Sequence, residues 1–218
     1  KDNDTISIVT DKNEYESRTV IIASGKRTKE LGVPGEAEFK NHGLTYCATC
    51  DAPLFSGKPV AVIGGGNSAL DATLQLIRIA KHVYLINTAS SLAGDAIMIE
   101  KIVNSGRVSV LNDSRVVEIL GDKFVNGIRV KRKDNEEILD VGGIFVEIGL
   151  IPNSEFAAGV EKNQLGEIKV NGYNETNIPG VFAAGDVTDI PEKQIIIAAG
   201  EGSKAALSAF KYLAQHNF

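Results

Sequence analysis

The sequence is short of cysteine: Cys47 and Cys50 are the only two in 218 residues. Two cysteines in a chain this long do not make the disulfide framework of a small secreted domain. A single C-x-x-C in an otherwise cysteine-free chain points to a reducing compartment, read here as the cytoplasm. Histidine is nearly as scarce, with only His42, His82 and His216. No apolar run reaches the roughly 18 residues that a membrane-spanning helix needs. The opening KDNDTISIVT is polar and acidic where a signal peptide is apolar. No concentrated basic patch breaks the formal net charge of -5, which argues against nucleic acid or an anionic membrane as partner. An initiating Met is also missing, so the chain is expected to be a processed or trimmed piece.

What is present is an ordinary globular composition, 43% hydrophobic and 23% charged. TISIVT alternates apolar and polar residues, DKNE turns, and YESRTVIIASG is expected to return as a strand. Residues 26–43 read as a loop. VAVIGGG is a short buried strand running into a glycine turn, NSALDATLQLIRIA has helical spacing, and HVYLIN is a second buried strand. This β-turn-α-β order predicts a parallel doubly wound unit. A helix over Asp95 to Asn104 and a strand VSVL follow. SRVVEIL, KFVNGIRVKRK and EEILDV then alternate with turns as an antiparallel meander, and GGIFVEIG restores a buried strand. LIPNSE is a second linker candidate, GEIKV a strand, and the tail from Ala198 to Asn217 a long helix. GVFAAG and VIIASG are both apolar runs ending in small residues, which suggests neighbours in one sheet with the middle of the chain inserted.

GGGNSA fits G-x-G-x-x-G/A. Gly64 permits the tight turn, Gly66 lets backbone approach a pyrophosphate, and Ala69 allows close helix–strand packing. Gly64, Gly65, Gly66, Asn67 and Ser68 are the candidate dinucleotide-binding residues, with the free N–H groups of the helix start facing the phosphates. The end of the second strand, about 20 residues on, reads the adenosine ribose in such units. Here it is Asn87, followed by TASSLAGD, and no Lys or Arg occurs from Asn87 to Met98. NADH is therefore expected over NADPH.

The cysteine pair leaves three readings open on its residues alone: half of a metal site, a crosslink, or a redox pair. A metal site needs two more ligands, of which His42 offers one. A bridge over so short a loop constrains little of the chain. C-x-x-C pairs cycle readily through attack of one thiolate on an external disulfide. Asp51, directly after Cys50, suits either a general acid for a leaving thiolate or a turn and cap residue.

CATCD, KPVAVIGGGNSALDA, GVFAAGDV and KQIIIAAGEGSKAALSAF together resemble the thioredoxin reductase family of flavoproteins. Within it, TYCATCDAPLF, IGLIPN and the tail are most similar to the flavoprotein subunit of alkyl hydroperoxide reductase. The segment NTASSLAG departs from the basic segment that thioredoxin reductases use for the 2′-phosphate. The resemblance implies electron flow from NADH through FAD to the Cys47–Cys50 disulfide, then to a thioredoxin-like domain or protein that serves a peroxiredoxin. It places Cys50 nearer the flavin, Cys47 as the attacker of the partner, and Asp51 as proton donor. Asp186 would bind the flavin ribityl chain, Gln194 and the N–H of Ile195 its pyrimidine ring, with Gly25 also at the cofactor. It implies an α/β fold with a Rossmann-like NAD(H) domain (34–150) carrying the meander, inserted in a partial FAD domain (1–33 and 151–218), whose exposed sheet edge is expected to drive homodimerisation. The family's own FAD glycine fingerprint has no counterpart here, so the chain is expected to be a fragment with weakened FAD binding.

Overall fold

The structure, a computed structural model, describes residues 5–133 and 135–216. Residues 1–4 of the first expected domain and the end of the expected tail helix at Asn217 lie outside them. The chain divides into two compact units, one of Lys1–Arg27 with Leu150–Phe218 and one of Thr28–Gly149. Strands β1 (Ile6–Val9) and β2 (Glu14–Ser17) form an antiparallel hairpin, with Ile6 opposite Ser17 and Val9 opposite Glu14. The returning strand does not run on through VIIASG as the sequence suggests. It stops at Ser17, whose hydroxyl donates to the Thr19 carbonyl at 2.7 Å, and β3 (Val20–Ile22) joins a different sheet. A short strand β4 (Lys26–Thr28) follows.

The expected loop over 26–43 also holds a helical turn, α1 (Glu36–Phe39). Glu36 explains it: its buried carboxylate accepts the N–H groups of Leu31 and Gly32 at 2.8 and 2.7 Å, which folds VPGE into a helix start. Next come β5 (Leu44–Thr45), a one-turn helix α2 (Ala48–Asp51) and a 3-10 turn over Ala52–Phe55. The strand–turn–helix–strand unit forms where the sequence places it: β6 (Pro59–Ile63), α3 (Asn67–Leu76) and β7 (His82–Ile86). Helix α4 (Ala96–Val103) is capped by Asp95, whose carboxylate accepts the N–H groups of Ile97 and Met98, and leads to β8 (Val108–Leu111). The meander is β9 (Ser114–Gly121), β10 (Val125–Arg132) and β11 (Asn135–Asp140), all antiparallel, and β12 (Ile144–Val146) returns to the first sheet.

That sheet has the order β5-β12-β6-β7-β8 and is parallel throughout. Its two faces explain the uninterrupted apolar run in β6. Val60 and Val62 face one core with Leu70, Leu76, Leu85, Ile102 and Phe145. Ala61 and Ile63 face a second core with Val116, Ile119, Ile128 and Ile144. Period-two alternation is thus hidden, because both faces are covered.

The other unit continues with β13 (Leu150–Pro152), which pairs with β4 where the sequence suggested a linker. GEIKV does not form a strand. Gly166 turns at φ 81°, and Ile168 makes only isolated bridges, to Lys162 and Thr188. β14 (Val181–Ala183) pairs in parallel with β3, Val181 opposite Val20, so the two similar apolar runs are indeed neighbours. Val181 and Ala183 pack with Ile22 and Ile168, whereas Phe182 and Ala184 pack on Ala205 and Ala209 of the long helix α5 (Ile195–Gln215). The mixed α/β class read from the sequence is what the chain adopts. No helix among the described residues is long and apolar enough to cross a membrane.

Phe145 is fully buried in β12 and meets Phe55 edge-on with ring centroids 5.1 Å apart. It therefore joins the sheet to the 3-10 turn that follows the cysteines. Phe145→Ala is expected to destabilise the chain by about 3–5 kcal/mol, read as a lower urea midpoint at unchanged slope.

Candidate active site

The central strand β6 has β7 on one side and β12 on the other, so the chain leaves it in one direction and comes back from the opposite one. A crevice opens at the carboxyl ends of strands where the order reverses in this way. Here it is a cleft of about 670 Å³ lined by Gly64–Gly66, Asn67, Ser68, Asn87, Thr88, Arg115 and Glu147, among others. Each glycine has its own reason. Gly64 adopts φ 142°, and a Cβ there would stand 2.3 Å from the Glu147 carbonyl. A Cβ at Gly65 would strike the Asn87 amide, also at 2.3 Å. Gly66 alone opens onto free space, where a ligand can lie against backbone, and α3 starts behind it with no side-chain cap. This cleft fits a dinucleotide: room, an approachable glycine and uncapped helix-start N–H groups coincide.

Two of the candidate residues turn out to be structurally engaged. Asn67 accepts the Asp95 N–H at 2.8 Å and so fixes the loop before α4. The Asn87 amide is buried. It donates to Ala89 O, Ser91 O and Asn112 Oδ1 and accepts the Ala89 N–H. Its visible work is to hold the loop it heads. The sequence window from Asn87 to Met98 is free of cations, but the fold brings Arg115 from β9 into the same cleft beside Thr88 and Ser114. No linear window of 12 residues contains that information.

Cys47 and Cys50 are joined as a disulfide, Cα atoms 5.4 Å apart. Cys47 caps α2, its sulfur accepting the Cys50 N–H at 3.2 Å. Cys50 is exposed and Cys47 half-buried. Asp51 accepts a short hydrogen bond from the Thr45 hydroxyl. Asp51 also lines a second cavity of about 390 Å³ with Leu54, Phe55, Lys58 and Phe124. Thr49, between the cysteines, is held by Gln75 of α3 at 3.5 Å. Tyr46 donates to Glu36 at 2.9 Å, and burial together with that carboxylate pushes its hydroxyl well above the usual range.

The residue that sequence reading passes over is Glu147. Its Oε1 accepts the N–H of Ala48, next to Cys47, at 3.4 Å, while its backbone stands against the glycine turn. Burial pushes its carboxyl up to about 7, the nearby Asp71 pushes the same way, and the Ala48 N–H opposes both. The signal was available: a single acidic residue closes the apolar strand IFV in GGIFVEIG.

In the other unit, Gly25 turns at φ 67° and Asp186 sits in a 3-10 turn directly after β14. Lys26, following Gly25, and Lys193, preceding Gln194, converge on one buried carboxylate, Glu167. Lys193 also donates to Thr188 O at 2.6 Å, fixing the loop beyond Asp186. Gln194 caps α5 without a side-chain bond, and Ile195 and Ile196 are 90% and 79% exposed. A bare apolar helix turn with free N–H groups fits the flat ring of a flavin and its ribityl chain. Gly185, at φ 74°, opens only the three-residue 3-10 turn that carries Asp186, which is too short to cradle the pyrophosphate end of FAD.

Comparison with known proteins agrees with this picture. The family model described as pyridine nucleotide-disulphide oxidoreductase matches residues 1–211. The chain is 48% identical over 200 residues to the NADH dehydrogenase of Bacillus subtilis (strain 168), covering 90% of this chain and 39% of that one. It is 48% identical over 201 residues to a subunit of alkyl hydroperoxide reductase from Pseudomonas aeruginosa, again covering 90% and 39%. The chain thus spans only 39% of the length of these curated relatives. Among solved structures, thioredoxin reductase from Streptococcus pyogenes MGAS5005 superposes with a TM-score of 0.92 at 31% identity, over 99% of this chain and 72% of that chain. The family model spans all but the last few residues, and the chain belongs to the pyridine nucleotide-disulphide oxidoreductase family.

Proposed function

We propose that the chain is the core of an NADH-dependent, FAD-containing disulfide reductase of the alkyl hydroperoxide reductase flavoprotein type. The observation that carries this reading is that one residue, Glu147, lines the glycine cleft and also accepts the N–H of Ala48 beside the Cys47–Cys50 disulfide. The overall change is balanced: NADH and one proton reduce the disulfide to a dithiol and leave NAD+. When bound, flavin supplies the exchange between hydride transfer and thiol–disulfide chemistry. The chain's residues do the rest. Gly66 and the start of α3 hold the dinucleotide phosphates, and Gly25, Asp186, Gln194 and the Ile195 N–H hold the flavin's ring and ribityl side. The Cys47 thiolate attacks the partner's disulfide to form a mixed disulfide, and Cys50 resolves it, releasing the partner as a dithiol. Asp51, positioned by Thr45, supplies a proton to the leaving thiolate. The partner is a thioredoxin-like domain or protein serving a peroxiredoxin.

Cys47→Ser and Cys50→Ser are each expected to lower reduction of a protein disulfide by at least about a thousandfold while leaving NADH-driven dye reduction in place. Loss of both activities together, with the fold intact, would sink the relay. A second reading, thioredoxin reductase proper using NADPH, is favoured by one observation, the cation Arg115 in the cleft. The two separate on nucleotide preference. On the proposed reading KM for NADH is the lower, and Arg115→Ala changes it less than it changes KM for NADPH; a strong NADPH preference in the unmodified chain would reverse the assignment.

A further inference from the structure

Glu147 touches both halves of the site. Its N–H donates to the Ile63 carbonyl at 2.8 Å, and its own carbonyl lies where any Cβ at Gly64 would stand. Its backbone is thereby clamped to the turn that receives the dinucleotide. The residue lines the cleft, and its side chain accepts the N–H of Ala48, the peptide directly after Cys47. No cation neutralises it: among the described residues it has no ion pair, and the titratable groups facing it or sharing its cleft are Asp71 on α3, Glu30, and Arg115 on β9. Asp51, at the end of α2, is turned to Thr45 instead.

We propose that Glu147 is a positioning residue that links nucleotide binding to the cysteine pair by taking up a proton when the cleft is filled. The inference rests on reading this cleft as the pyridine-nucleotide site. A half-buried carboxylate hydrogen-bonded to the peptide that follows Cys47 opposes formation of a thiolate at that cysteine, since two negative charges must then share one poorly solvated region. A dinucleotide brings two phosphate charges into the cleft and strips water from the carboxyl. Both effects favour the neutral acid. Because the free group already titrates near pH 7, the proton is available under ordinary conditions. Once neutral, Glu147 accepts the Ala48 N–H less strongly and no longer repels charge on Cys47. Binding at the glycine turn therefore makes the disulfide easier to reduce, and by linkage a reduced pair binds nucleotide more tightly.

The sign of the pH dependence follows. Well below pH 7 the carboxyl is neutral before and after binding, and affinity is flat. Above pH 7 binding must draw a proton from solution, so affinity falls as pH rises. For the unmodified chain, calorimetry with NAD+ in two buffers of different ionisation enthalpy is expected to show proton uptake at pH 8. The affinity loss from pH 7 to pH 8 is about fivefold for one linked proton. Glu147→Gln, neutral at every pH, is expected to show neither, behaving throughout as the unmodified chain does at pH 6. The second readout is the disulfide itself, titrated with dithiothreitol at pH 8. That reagent gives two electrons, the two thiol protons coming with them, and closes into its own disulfide. NAD+ is expected to move the midpoint toward a lower ratio of reduced to oxidised reagent in the unmodified chain and not in Glu147→Gln. A Glu147→Gln variant that keeps the proton uptake or the midpoint shift overturns the proposal, as does one that fails to bind NAD+ at pH 6. If the unmodified chain itself gives no NAD+ binding, the nucleotide reading of the cleft falls first and the proposal with it.

Discussion

Strand β6 is the constraint on which the larger unit depends. It is hydrogen-bonded on both edges and covered on both faces, so every one of Val60, Ala61, Val62 and Ile63 is buried. Such a strand cannot slip by one residue, because each face already demands its own alternate side chains. Its carboxyl end is consequently a fixed point, and the turn at Gly64 inherits that fixity. The Ile63–Glu147 hydrogen bond extends it to β12. A catalytic arrangement needs reacting groups held to fractions of an ångström, and a doubly paired central strand is the stiffest element available for that purpose.

The cysteine turn is the opposite kind of element. α2 is four residues long, far below the length at which a helix holds itself together in water. Its geometry comes from outside: Phe55 under Phe145, Thr49 on Gln75, Asp51 on Thr45 and Ala48 on Glu147. Few of these contacts are strong, and several reach into solvent. The pair therefore sits on a support that is ordered by its surroundings and retains the freedom that a cycling disulfide requires, since bond making and breaking changes the sulfur separation by more than an ångström.

Local signals were legible where one element carries its own evidence. The β6–α3–β7 unit, the capped helix α4 behind Asp95 and the three-stranded meander are all written in short windows of sequence. So is the kinship of VIIASG and GVFAAG, since parallel strands buried on both sides share a texture. What escaped had a tertiary origin. α1 exists because Glu36 gathers two N–H groups from the preceding loop, and β13 finds its partner β4 more than 120 residues earlier in the chain. GEIKV looks like a strand but has no neighbour that accepts it along its length. At the site, the glycine turn and the cysteines announced themselves, while Arg115 and Glu147 arrive from the strands that the fold sets beside them. The apolar window around Glu147 disguised it, because a carboxylate at the end of a buried strand reads as a boundary rather than as a working group.

The contact between Gly65 and Asn87 carries a consequence for how sequences of this kind can drift. The glycine lacks a side chain because the buried amide fills the space a methyl group would need, and the amide in turn organises the loop from Ala89 to Ser91. Position 65 cannot take a side chain while Asn87 stays in place. A chain that trades Asn87 for a smaller residue loosens its loop but opens room at 65, and only then can an alanine enter the turn. The two sites form a single unit of variation, so the middle glycine of the fingerprint records the identity of residue 87 more than the presence of any ligand.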